Sequence, residues 1–121
     1  MNTNRYEKES IEEFITIIDR SFPEVKELLN HCYVKLIQSF CGQESSYFLP
    51  YIAIYSPNNM IAAVKAQMPV FKIVAKYVGI FEVVCINATC LLHHPMSKLK
   101  QDNPHLWLEL HWITTRERGN V

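Results

Sequence analysis

Apolar positions in the N-terminal third of the chain fall on two helical stripes. Ile11, Phe14, Ile15 and Ile18 stand at i, i+3, i+4 and i+7, the spacing of a helix that buries one side. Ser10 followed by Glu13 has capping-box spacing, in which two side chains satisfy each other's backbone donors, and so predicts the start of that helix. A second start follows at "SFPE", with Ser21 as cap, Pro23 in the first turn and Glu24 three residues on from the cap. Val25, Leu28, Leu29, Cys32, Leu36 and Phe40 extend a stripe from there to Gly42, which predicts a second helix ending at that glycine.

Beyond the polar stretch "GQESS" the pattern turns aromatic and β-branched. "YFLPYIAIY", closed by Ser56-Pro57-Asn58-Asn59, predicts a strand with Pro50 near its beginning or edge. From there to Gly79, Ile61, Val64, Met68, Phe71, Ala75 and Val78 keep helical spacing while Lys65, Lys72 and Lys76 share the opposite side. Pro69 removes a backbone donor in the middle and disfavours helix at Met68, so the segment reads as a kinked helix, with a turn and a strand over 70–78 as the alternative. The front of "IFEVVCINATCLL" predicts a strand. "HLWLELHWITT" predicts another, because Leu106, Leu108, Leu110 and Trp112 alternate with His105, Trp107, Glu109, His111 and Ile113. The polar segment "HHPMSKLKQDNP" between them reads as a long loop. The order α-α-β-α-β-β predicts a two-layer α+β domain: two N-terminal helices packed on a small, mostly antiparallel sheet, with a further kinked helix.

A length of 121 residues fits one domain spanning 1–121, with 1–9 expected as a flexible N-terminal segment and 117–121 as a flexible tail. Twelve basic against twelve acidic side chains leave no net charge to drive phosphate binding, so nucleic acid is not an expected partner. The polar, acidic start is unlike a signal peptide, and no apolar run has the length of a membrane span, which predicts a cytoplasmic protein without a membrane partner. In that setting Cys32, Cys41, Cys85 and Cys90 are expected to be reduced thiols filling the core. Asn87-Ala88-Thr89 matches a glycosylation acceptor, but without a secretory route the match is chance.

"VVCINATCLLHH", residues 83–94, concentrates thiols and imidazoles and raises the question of a site. Within one strand over 80–92, Cys85 and Cys90 would point to opposite faces, and four intervening residues do not make a zinc knuckle. Glu109 and His111 would share a strand face about 6.5–7 Å apart. With His93 or His94 from a neighbouring strand end, they are the metal-site alternative. The cysteines sit in apolar surroundings that do not activate a thiol, and Cys41 at a helix C-terminus would have its pKa raised. Glycines only at 42, 79 and 119 leave no phosphate-cradling loop, and no cofactor is expected. These features predict a non-enzymatic protein-protein interaction module of the immunity-protein, secretion-chaperone or phage or virus accessory type, forming a homodimer or binding another protein. The expected contact face is the outer side of the last strand, Trp107, Glu109, His111 and Ile113, with Tyr51 and Tyr55. The alternative is a small-molecule-binding or metal-dependent enzyme using the His/Glu cluster between sheet and helices.

Overall fold

The computed structural model describes residues 3–40, 48–80 and 82–119, with side chains described over 9–37, 50–80 and 82–115. Two helices, α1 (Thr3–Ser21) and α2 (Pro23–Leu29), precede strands β1 (Tyr33–Phe40) and β2 (Phe48–Ser56). A 3-10 turn at Asn58–Met60 leads into α3 (Ile61–Ala66) and α4 (Met68–Tyr77). Strand β3 (Glu82–Asn87) is followed by α5 (Ala88–His93), α6 (Leu99–Asp102) and α7 (Pro104–Gly119). The fold is therefore mixed α and β, as expected, with more helix after the last strand than the pattern suggested.

The sheet order is β1-β2-β3. Strand β1 runs antiparallel to β2, with Leu36 opposite Ile52, and β3 runs parallel to β2, with Ile54 opposite Cys85. A parallel neighbour requires a crossover, and α3 and α4 supply it. The sheet is thus half antiparallel and half parallel, which corrects the mostly antiparallel expectation.

Side-chain alternation sends Leu36, Ile52, Ile54 and Val83 to one face, where they pack with Phe14, Ile18, Val25, Leu29, Val64, Phe71 and Val74 from α1 to α4. The opposite face carries Tyr33, Ile37, Tyr51, Ala53, Tyr55, Val84 and Ile86, covered by Ala88 of α5 and Leu106, Leu110 and Ile113 of α7. Both faces are covered, so the domain has three layers with the sheet in the middle rather than two. The final segment forms that third layer as a helix, which corrects the predicted last strand. Its buried positions stand at i, i+4 and i+7, a stripe only a helix can present on one side.

Other expectations are corrected as well. The second helix stops at Leu29 instead of Gly42, because the aromatic and β-branched residues after it alternate as a strand, Tyr33 and Ile37 against Val34 and Leu36. Cys41 and Gly42 lie outside the described residues. Ser10 is buried inside α1, which already runs from Thr3, so it is not a cap. Ser21 ends α1 instead of capping α2, whose N-cap is Phe22 without a side-chain bond. The kinked helix resolves into two helices that break at Gln67, with Pro69 in the first turn of α4, where its missing N–H costs no hydrogen bond. Over 80–92, strand gives way to helix at Asn87–Ala88. Of the segment 117–121, the last residues of α7 are described and 120–121 are not.

Local chemistry fixes these boundaries. Gly79, at φ +81°, ends α4: its N–H donates to Lys76 O at 3.1 Å, and the Ile80 N–H donates to Ala75 O at 2.8 Å. This is the paired closure of a Schellman motif, with Ile80 buried behind it. Asn87 caps α5 by accepting from the Cys90 N–H at 2.9 Å and donates from Nδ2 to Asn58 Oδ1 at 2.9 Å. The Asn58 N–H in turn donates to Thr89 Oγ1 at 3.0 Å. The Asn-Ala-Thr triplet is thus a cap and a latch that tie the β3–α5 junction to the turn after β2.

Candidate functional site

Helix α7 positions most of the singled-out residues, and Asn103-Pro104 starts it. Asn103 Oδ1 accepts from the Leu106 N–H at 3.2 Å, while Pro104 occupies the first helical position. Around the resulting helix, Leu106, Leu110 and Ile113 turn inward. Trp107, His111 and Thr115 form the flank toward α5, and Glu109 lies on the other flank toward β1. Leu108 and Trp112 point outward.

The α5 flank forms a cleft of about 120 Å³ lined by Leu92, His93, Trp107, His111, Thr114 and Thr115. His111 stacks on the Trp107 indole with centroids 4.9 Å apart and planes 20° from parallel. Lys100 Nζ stands 4.8 Å from the Trp107 ring centroid, a cation–π contact that ties α6 to α7. Both threonine hydroxyls donate back into the helix. Thr114 Oγ1 reaches Leu110 O at 2.9 Å, and Thr115 Oγ1 reaches His111 O at 2.8 Å. Their hydrogens are therefore committed, and what each oxygen offers a ligand is a lone pair.

The expected metal ligands do not converge. His93 and His111 line the same cleft, but His94 Nδ1 accepts from the Met96 N–H at 3.0 Å. Glu109 pairs with His105, its Oε2 3.9 Å from Nε2. Residues two apart share a strand face but lie on different sides of a helix, which is why Glu109 and His111 part company. Among the described residues no group of three or more His, Cys, Asp or Glu side chains could hold a metal ion.

The expected contact face also divides. Ile113 and Tyr55 are buried in the core of the second face, and Tyr51 packs half-buried against the same cluster. Tyr55 lies against Tyr33, with ring centroids 6.1 Å apart. Burial raises the pKa of both phenols above 10.0, and the charge of Glu109 adds to the shift at Tyr33. Only Trp107 and His111 remain together, on the cleft. Alternation places Leu108 and Trp112 on the leucine face of a strand, yet in α7 they are exposed large apolar side chains. Asn103-Pro104 was the signal that could have revealed them, since a capping Asn before a first-turn Pro announces a helix.

The described thiols are not joined by a disulfide. Cys32 and Cys85 lie half-buried under α1 to α4, while Cys90 is exposed on α5. Burial pushes the Cys32 thiol up to about 11, the Ser56 hydroxyl offsets this in part, and nearby Cys85 adds to it. Burial likewise raises Cys85, against the opposing pull of Lys65. Such thiols stay protonated at neutral pH and are poor nucleophiles. No helix among the described residues is long and apolar enough to cross a membrane. Comparison with protein-family models, with curated proteins and with solved structures finds no match to this chain.

Proposed function

We propose that the chain is a small, non-enzymatic protein-interaction module of the cytoplasm, of the immunity-protein, secretion-chaperone or phage or virus accessory type, and that it self-associates through the outward side of α7. The observation that carries this reading is the pair Leu108 and Trp112, one turn apart and 59% and 60% exposed. Burying such side chains on association is favourable by about 25 cal/mol per Å² of apolar surface. Tryptophan is also a frequent anchor of contacts between proteins. In a twofold contact between two α7 helices, Trp112 of each copy would lie against Leu108 of the other. His105 and Glu109 beside the pair give the contact a polar rim. Nucleic acid is not a partner in this reading, supported by the balance of twelve basic and twelve acidic side chains.

Light scattering over a concentration series tests the proposal. The native protein is expected at twice its 14.1 kDa chain mass, and Leu108→Asp at the single-chain mass with an unchanged far-ultraviolet circular dichroism spectrum. A native protein that stays at the single-chain mass at every concentration ends the reading.

A further inference from the structure

We propose that the cleft between α5 and α7 binds a neutral, planar, single-ring heterocycle whose edge carries N–H donors. Size is the first argument. A space of about 120 Å³ is close to the cavity of about 150 Å³ that takes up benzene, so one six-membered ring is the natural occupant. The lining is the second. Leu92 supplies an apolar wall, and Trp107 and His111 complete the lining, the indole lying between the His111 ring and Lys100.

Polarity chooses among rings of that size. The Thr114 and Thr115 hydroxyls direct their hydrogens to Leu110 O and His111 O, so each presents only acceptor capacity to the cleft. The ring nitrogens of His93 and His111 add further hydrogen-bonding capacity. A ligand edge with N–H groups is matched by these atoms, whereas an edge of bare oxygens would face lone pair against lone pair. Charge narrows the class again. Lys100 Nζ, held over the Trp107 ring, opposes a cationic ligand, while the two hydroxyl acceptors oppose an anionic one.

The test is a titration of the native protein with three ring compounds of similar size: cytosine, which is neutral with N–H donors, benzoate, and benzamidinium. Amide shifts at Leu92, His93, Thr114 and Thr115 report the site. Fluorescence in a Trp112→Phe background isolates Trp107, since the chain has two tryptophans. Cytosine is expected to give saturable changes in both signals and to bind more tightly than the other two. Thr115→Val, which keeps the shape and removes the acceptor, is expected to weaken cytosine about tenfold, the loss of one neutral hydrogen bond. Thr115→Ser, which restores the oxygen, is expected to recover it. Equal or tighter binding of benzoate or benzamidinium overturns the proposal, as does a Thr115→Val protein that binds cytosine unchanged. Absence of saturable shifts with cytosine overturns it outright.

Discussion

On one face of the sheet, α1 to α4 set Phe14, Ile18, Phe71 and Val74 against Leu36, Ile52, Ile54 and Val83. On the other, α5 to α7 set Leu106, Leu110 and Ile113 against Ala53, Tyr55 and the partly buried Tyr33 and Tyr51. The first contact is between large apolar side chains, and its aromatic pair, Phe14 and Phe71, meets with centroids 6.3 Å apart. The second uses small residues, Ala53 and Ala88, and tyrosines whose hydroxyls retain a polar character. Histidines 93, 94, 105 and 111 and both tryptophans belong to the second layer. Both layers pack on the sheet, and the second adds imidazole, indole and phenol groups to that packing. Exposed apolar side chains occur on both layers, Ile73 and Tyr77 of α4 as well as Leu108 and Trp112 of α7.

The largest expected effect breaks the first face. Phe71→Ala removes a fully buried ring and its contact with Phe14, for a loss of about 3–5 kcal/mol in urea unfolding. Leu110→Ala does the same to the second face and is expected to cost about 2–5 kcal/mol. Because both layers share one sheet, each variant should unfold in a single transition followed identically by fluorescence and circular dichroism. A biphasic curve for Leu110→Ala alone would show that the α5–α7 layer opens independently.

The two faces differ in how legible they were for a definite physical reason. A spacing of four satisfies the helical period nearly as well as it satisfies the strand period of two. Cys32, Leu36 and Phe40 are four apart, and so are Leu106 and Leu110, or Leu108 and Trp112. Such sets fit either element, so the pattern of β1 reads as helix and that of α7 as strand. The discriminating positions have other spacings. Leu110 to Ile113 is an interval of three, which a strand would place on opposite faces. Val34 to Leu36 is an interval of two, which a helix would separate. Helix α1, with apolar intervals of three and four, and β2, rich in aromatic and β-branched residues, were legible for the same reason. Of the candidate site, the chemical types were readable but not their grouping: His93, Trp107 and His111 meet on one cleft, while Glu109, His94, Tyr55 and Ile113 do not join them.

Alkaline titration sharpens the comparison from the side of charge. The buried Cys32 thiol has its pKa raised from 9.0 to about 11, so the folded state holds that proton more tightly than the unfolded chain. Its contribution is complete below pH 9 and is lost as pH rises toward 11, a loss of about 3 kcal/mol. Tyr33 and Tyr55 on the second face shift in the same direction from 10.0, so their loss begins later. Stability measured by urea unfolding across this range should fall from pH 9 in the native protein and less steeply in a Cys32→Ala variant, where Cys85, raised from the same 9.0, still contributes. Coincident curves for the two proteins would remove Cys32 from the account. A smaller effect is expected at the hinge between the crossover and β3. Gly79→Ala meets no neighbouring atom within 4 Å, so its cost is the left-handed backbone alone, about 1 kcal/mol in the same assay.

The smallest effect on folding is expected at Leu108, and it separates the two readings of the last element most sharply. In a strand, Leu108 would share a face with Leu106, Leu110 and Trp112, and a charge there would enter the core. In α7 it is 59% exposed while Leu110, two residues on, is fully buried. Leu108→Asp should therefore change unfolding stability by no more than about 0.5 kcal/mol, as surface substitutions do. Leu110→Asp should abolish the folded state by burying an unpaired charge. Collapse of both variants would return the segment to the strand arrangement and remove the outward face on which self-association depends. A stable Leu108→Asp protein of halved solution mass would confine the role of that side chain to the surface, where a second copy is its partner.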